Sequence, residues 1–249
     1  NKEKIHILGA GSNTLISDNL YDGIVIKLGK NFSNISLLPN NIIVAGSSCL
    51  DAKLSEFAQD NEIGGLEFLA CIPGTVGGGL KMNAGCFGKE FKDILISIQA
   101  IDRIGNVITL PANKVLFEYR NNNLPNDLIF LSASVKGEKK DKDAIKKKIL
   151  ELKKKKDSTQ PTKIKTSGST FKNPINQTNK KVWELIKESV PLNTTFGDAC
   201  ISDKHCNFFV NKNNASFKDM IKLIEFVREN VEKKTGIKLE KEIKILGEI

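Results

Sequence analysis

The sequence has little of several residue types that announce particular chemistries. Only two histidines occur, His6 and His205, so a histidine-rich metal site is not expected. The five cysteines (Cys49, Cys71, Cys86, Cys200 and Cys206) contain no C-x-x-C pair, and an odd count without a disulfide framework suits a reducing cytosol. His205 and Cys206 are adjacent, but neighbours in sequence point in different directions, so they are not expected to work as nucleophile and base. No apolar run reaches the length of a membrane span, which excludes a membrane-crossing helix. Neither a secretory signal nor a basic amphipathic leader is legible at the start. Arginine is scarce as well, with three against 35 lysines.

What is present reads as a folded chain. Its 249 residues are 40% apolar and 27% charged, enough for one large domain or two ordinary ones with a sizeable core. The net charge of +9 suggests a nucleic-acid partner until its placement is considered. Residues 136–156 hold eleven lysines against four acids, a local +7 that leaves about +2 elsewhere. A solvated helix face explains this better than a nucleic-acid surface, and no nucleic acid, membrane or obligate protein partner is expected.

Hydrophobic spacing outlines the elements. Short β segments fill residues 4–46, and Leu50, Leu54, Phe57 and Ala58 then share one face of a helix at about 50–60. Strands are expected at 94–101 and 128–135. A lysine-laden helix at about 139–157 carries Ile145, Ile149 and Leu152 as its apolar stripe. The domain boundary is placed there, giving 1–140 and 141–249. The second part holds a helix near 180–188, a strand at 207–210, a long helix at 217–234 and a final strand at 243–246. Ser216 and Asp219 form a capping box for the long helix.

Five segments are candidates for chemistry. Gly9-Ala10-Gly11-Ser12-Asn13 follows an apolar strand and lets successive N–H groups face an anion, although an ordinary β-turn has the same composition. Residues 71–88, CIPGTVGGGLKMNAGCFG, carry six glycines between apolar flanks. Such density disfavours an ordinary helix or strand and suits either a ligand wall or a set of structural turns. Arg120 offers a planar fork of donors to a carboxylate or phosphate, or a surface ion pair. Thr166–Pro174 sets hydroxyl residues around Gly168, as a binding turn or a plain loop would. Glu248 follows a strand and a glycine, and by itself signals nothing.

These pieces occur in one order, and together they resemble the bacterial UDP-N-acetylenolpyruvoylglucosamine reductases. The matching strings are LGAGSN at 8–13, GLEFLACIPGTVGG at 65–78, MNAGCFG at 82–88 and EYR at 118–120. They continue with SGSTFKNP at 167–174, SDKHCNFFVN at 202–211 and ILGE at 245–248. The resemblance implies an α+β protein, with an FAD-binding domain of the vanillyl-alcohol-oxidase-like type followed by a smaller α+β substrate-binding domain. It implies FAD as cofactor and NADPH as co-substrate, reducing a UDP-sugar in the cytoplasm for peptidoglycan synthesis. Ser169 would be the proton donor, with Arg120 and Glu248 at the substrate carboxylate. FAD would lie along Gly9, Ala10, Gly11, Ser12 and Asn13 and along the IPG-x-x-GG wall at 72–78, which includes Pro73, Gly74, Gly77 and Gly78, with Asn83–Gly85 close by. Asn173 would contact substrate, and Lys204 and His205 would line the sugar-nucleotide side. Compared with relatives, several dozen residues are expected to be missing before the first motif. Phe87 replaces a common tyrosine, and Asp198 replaces a common glycine. The short stretch after Arg120 resembles the subtype without the tyrosine-bearing loop. A different flavin oxidoreductase of the same superfamily is the alternative reading.

Overall fold

A computed structural model describes residues 3–162 and 164–247. The chain divides into two compact units, one of Asn1–Ala10 with Gly23–Lys156, the other of Gly11–Asp22 with Asp157–Ile249. The chain thus passes between them inside the glycine turn at 9–13, and again inside the lysine-rich helix rather than at 140/141.

The first unit is built on a five-stranded antiparallel sheet, in the order Val107–Pro111, Leu95–Ile101, Ile129–Lys136, Ile42–Gly46, Ile35–Leu38. Its central strand buries Phe130, Ala133 and Val135. The step of three from Phe130 to Ala133 breaks the two-residue period, and the ladder to Leu95–Ile101 shifts register between Phe130 and Ser132. Ile43, Ala45, Ile98 and Ala100 join these residues in one core with Leu54 and Ala58 of α1 (Asp51–Asp60) and Val76 and Leu80 of α2 (Val76–Lys81). A smaller parallel pair, Ile5–Ile7 with Ile24–Ile26, leads into the glycine turn.

Helix α2 was not expected, because it is the VGGGLK of the glycine-rich segment. Packing explains it. A Cβ on Gly79 would stand 2.2 Å from the Phe91 ring, and one on Gly77 would stand 2.9 Å from Ser47 Cβ. The glycines let a short helix lie directly on its neighbours, and Thr75 Oγ1 caps it by accepting from Gly78 N–H. Helix α3 (Lys142–Thr159) buries Ile145, Ile149 and Leu152 as its stripe predicts. Its lysines pair with Asp60 and Glu151, and Lys156 Nζ donates to the Cys71 carbonyl at 2.6 Å.

The second unit has a four-stranded antiparallel sheet in the order Thr166–Ser169, Phe208–Asn211, Ala199–Ile201, Thr195–Phe196. Helix α4 (Val182–Ser189) and helix α5 (Phe217–Thr235) share its core. The capping box at Ser216 and Asp219 forms, and α5 ends at Gly236 with φ +73°. A separate parallel pair joins Thr14–Ile16 to Lys244–Leu246. No helix among the described residues is long and apolar enough to cross a membrane.

Two predictions follow from the first unit. Gly79→Ala forces a methyl into the Phe91 ring and should destabilise the fold by about 1–3 kcal/mol, read as a lower midpoint in denaturant. Asp51 is fully buried at the first position of α1, and neither carboxyl oxygen has a hydrogen-bond partner among the described residues. Burial pushes its carboxyl up to about 8 from the ordinary 3.8. Between those values the folded chain keeps a proton that the unfolded chain releases. Stability therefore falls as pH rises from about 4 to about 8, by at most about 1.4 kcal/mol per pH unit. Asp51→Asn should flatten that slope, and its Tm advantage over the native chain should be larger at pH 8 than at pH 5.

Candidate functional site

In the first unit the two glycine motifs meet. A Cβ on Gly9 would stand 2.7 Å from Thr75 Oγ1, so the end of the first motif lies against the cap of α2 with no side chain between. The segment from Ser47 to Asp51 runs beside residues 74–77, with Asp51 N–H donating to the Gly74 carbonyl at 3.1 Å, Val76 N–H to Cys49, and Gly77 N–H to Ser47. Pro73 is exposed and Gly74 partly so. The glycine density therefore has a definite division. Gly77 and Gly79 serve internal packing, whereas around Gly78 the nearest atom to an added Cβ is Thr75 Oγ1 at an ordinary 3.6 Å.

The remaining glycine-turn residues belong to the second unit. Gly11 has φ +77° and nothing within 4 Å of an added Cβ, and its carbonyl accepts from Thr14 N–H. Ser12 lies beside the hydroxyl-rich turn, with its carbonyl 3.7 Å from an added Cβ on Gly168. Asn13 Nδ2 donates to the Glu242 carbonyl at 3.0 Å, and the Asn13 carbonyl accepts from Lys244 N–H. That pair anchors the turn to the strand that leads toward Glu248. Glu248 itself lies outside the described residues.

These residues fit FAD on two observations. The missing Cβ of Gly11 faces open space, as close approach to backbone N–H groups requires. Nor does any acidic side chain occur in 8–13 or 71–79 to repel a diphosphate. Asp51, the carboxyl beside that segment, is held neutral at pH 7 by its burial.

Arg120 occupies a tight two-residue turn closed by reciprocal bonds between Glu118 and Asn121, and takes φ +60° within it. A non-glycine residue is uncommon in that left-handed conformation and persists where its surroundings hold it. Its guanidinium donates to the Gly85 carbonyl at 3.4 Å and lies 4.0 Å from Glu90. Asn83, fully buried with φ +41°, organises the same corner. Its Nδ2 donates to Glu90 Oε2 at 3.0 Å and to the Glu118 carbonyl at 3.1 Å, and its Oδ1 accepts from Lys92 N–H at 3.1 Å. Asn83 thus stands behind the arginine turn, a role that spacing alone did not reveal. Phe87, also in the left-handed region, is partly exposed with Lys155 Nζ 5.2 Å from its ring centre. Cys86 is pushed up by the neighbouring Cys71 thiol and by burial, and so is no thiolate.

In the second unit, Ser169 ends its strand after Gly168, which has φ +83°. It is half-buried, and among the described residues its hydroxyl has no hydrogen-bond partner. Asn173 Oδ1 accepts from Val182 N–H at 3.0 Å and so helps start α4. Lys204 Nζ donates to the Asp157 carbonyl. His205 Nδ1 accepts from Asn207 N–H at 3.3 Å, and burial lowers its pKa. Cys206 Sγ donates instead to the Trp183 carbonyl at 3.1 Å, which separates it from His205 as expected. Asp198 fixes a turn, its carboxylate accepting from Asn214 N–H at 3.1 Å and from Asn213 Nδ2 at 3.4 Å.

Comparison with known proteins agrees with this layout. Residues 1–111 match a family model described as an FAD binding domain, and residues 160–246 match one described as the C-terminal domain of UDP-N-acetylenolpyruvoylglucosamine reductase. The UDP-N-acetylenolpyruvoylglucosamine reductase of Pelagibacter ubique (strain HTCC1062) is 76% identical over 245 residues, covering 98% of this chain and 81% of that protein. The enzyme of the same name from Rickettsia conorii (strain ATCC VR-613 / Malish 7) is 49% identical over 249 residues, covering 99% and 83%. The crystal structure of UDP-N-acetylenolpyruvylglucosamine reductase from Thermus caldophilus superposes with a TM-score of 0.85 at 30% identity, covering 98% of this chain and 86% of that one. With its motifs, its fold and its near end-to-end identity in agreement, the chain belongs to the UDP-N-acetylenolpyruvoylglucosamine reductase family of FAD-dependent oxidoreductases.

Proposed function

We propose that this protein reduces the enolpyruvyl double bond of UDP-N-acetyl-enolpyruvoylglucosamine to give UDP-N-acetylmuramate. NADPH is the electron donor, and the product feeds peptidoglycan precursor synthesis in the cytoplasm. The observation that carries this reading is the 76% identity, over 98% of the chain, with a protein that bears the name of that reductase. In this reading the first unit, with the glycine turn at 9–13, serves the cofactor and the second unit the substrate.

The Gly9–Asn13 turn, Pro73 and Gly74 would hold FAD through backbone groups. Bound FAD supplies the hydride that one carbon of the double bond accepts. The electron pair of that bond then rests on the carbon beside the substrate carboxylate, and the charge spreads onto the carboxylate oxygens. Arg120 meets that charge with a planar, permanently cationic fork. Glu248 supports it only while protonated, since an ionised carboxylate would repel it. The Ser169 hydroxyl gives its proton to the carbon and regains one from solvent. Serine is a poor acid in water, so position against a strongly basic carbon has to do what acidity cannot. Asn173 would contact substrate, and Lys204 and His205 would sit on its sugar-nucleotide side. No nucleic acid, membrane or obligate protein partner enters this reading.

Stopped-flow and steady-state measurements test it. Ser169→Ala should leave flavin reduction by NADPH unchanged and lower turnover of the enolpyruvyl substrate by about 100- to 10,000-fold, the usual contribution of a positioned proton donor. Ordinary turnover in that variant would remove the proton-donor assignment. Glu248→Gln should keep measurable activity because an amide still donates, and activity no better than that of Glu248→Ala would remove the donor role.

A further inference from the structure

Directly after Ser169, the ladder to Phe208–Asn211 ends. The far side of the chain is held by the bridge Phe171↔Lys241, with Glu242 N–H donating to the Thr170 carbonyl at 2.8 Å and Lys172 N–H to the Glu240 carbonyl at 2.9 Å. On the near side a side chain takes over from the ladder. The strand Thr166–Ser169 pairs with Phe208–Asn211 at Thr166↔Val210 and Ser169↔Phe208, with an irregularity between them where Gly168 turns left-handed. A ladder interrupted in this way does not by itself fix the direction of the residue that follows the interruption. Asn207, only 3% exposed, supplies what is missing. Its Oδ1 accepts from Phe171 N–H at 3.0 Å, and its Nδ2 donates to the Phe171 carbonyl at 2.9 Å. Its own carbonyl accepts from Thr170 N–H at 2.8 Å. One residue therefore holds both residues that follow Ser169 by three bonds. The amide pairs with Phe171 much as a neighbouring strand would, which needs a donor and an acceptor side by side.

Asn207 is fixed in turn. Its N–H donates to His205 Nδ1 at 3.3 Å, an arrangement that the neutral imidazole with its proton on Nε2 satisfies. The His205 ring stands edge-on to Phe208, with centroids 4.9 Å apart. Burial holds the imidazole below its ordinary pKa, in keeping with the neutral form.

We propose that His205 and Asn207 form a positioning clamp that sets the Ser169 hydroxyl for proton delivery. The clamp rests on the reading of Ser169 as proton donor. Neither residue touches the reacting atoms in this scheme. The family strings around them thereby acquire a mechanical meaning: SDKHCNFFVN holds SGSTFKNP in place.

The two half-reactions of the FAD-loaded protein separate a positioning role from a general structural one. In Asn207→Asp the amide donor to the Phe171 carbonyl is lost. Reduction by NADPH should stay within about twofold, while reoxidation by the enolpyruvyl substrate slows by about 100-fold, as expected for a misplacement near 1 Å. The solvent deuterium isotope effect on that second step should grow, because proton delivery becomes limiting. His205→Ala should show the same asymmetry at saturating substrate to a smaller degree, and in His205→Asn the Asn Oδ1 can stand where Nδ1 stood as acceptor for the Asn207 N–H. Amide hydrogen exchange at Thr170 and Phe171 should quicken in Asn207→Asp and His205→Ala, and not in His205→Asn. Equal slowing of both half-reactions, or unchanged reoxidation with quickened exchange, would overturn the clamp. Ser169→Ala tells the two ideas apart: full turnover there sinks the proton-donor reading, whereas a dead Ser169→Ala beside a fast Asn207→Asp sinks the clamp alone.

Discussion

Wherever this chain leaves a regular ladder near its family motifs, its backbone groups must still find partners away from water. Buried asparagines meet that constraint in both units. Asn83 holds the Glu118 carbonyl and the Lys92 N–H, and Asn207 holds both polar groups of Phe171. An unpaired buried backbone group costs about 1–3 kcal/mol, so irregular backbone of this kind persists only where a side chain mimics a peptide. Arg120 and Ser169 both sit next to such a patch. Their placement therefore depends on these buried amides.

This dependence explains what was legible beforehand. Helices α1, α3, α4 and α5 and the main strands follow from apolar spacing, because each has one face turned to a core and the other to solvent. The capping box at Ser216 is a local pattern and was readable for the same reason. Helix α2 was hidden because its glycines violate propensity. They are required by the Phe91 ring and Ser47, whose contacts lie far along the chain and leave no mark in a local window. The motif strings pointed to Arg120 and Ser169 by family resemblance alone. The bonds that hold those residues join positions 83 to 118 and 171 to 207, and no spacing rule encodes such pairs.

Charge reads differently once the fold is in hand. The lysine-rich stretch is α3, anchored by three apolar residues and partly neutralised by Asp60 and Glu151. At its end, Lys156 meets the carbonyl of Cys71 and Lys155 faces Phe87, so two of its lysines lie against the segment that carries MNAGCFG. Asp51 makes the complementary point. A carboxyl beside a proposed diphosphate wall would repel its ligand if ionised, and burial keeps it neutral. The cost appears as pH-dependent stability, so a fold that favours the ligand gives up some of its own robustness at alkaline pH.

A serine that protonates carbon, the role proposed for Ser169, must rely on geometry. Its acidity cannot be tuned far, so any loosening of the 167–171 turn falls directly on the chemical step. Gly168 is left-handed and approaches Ser12, Thr170 and Phe171 are held by Asn207, and Asn207 is held by His205. Each constraint acts from a different side of the turn. The region is thus over-determined, which keeps a glycine turn in one of the several conformations open to glycine. In the proposed scheme, rigidity at this turn does the work that a lowered pKa does in enzymes with stronger acids.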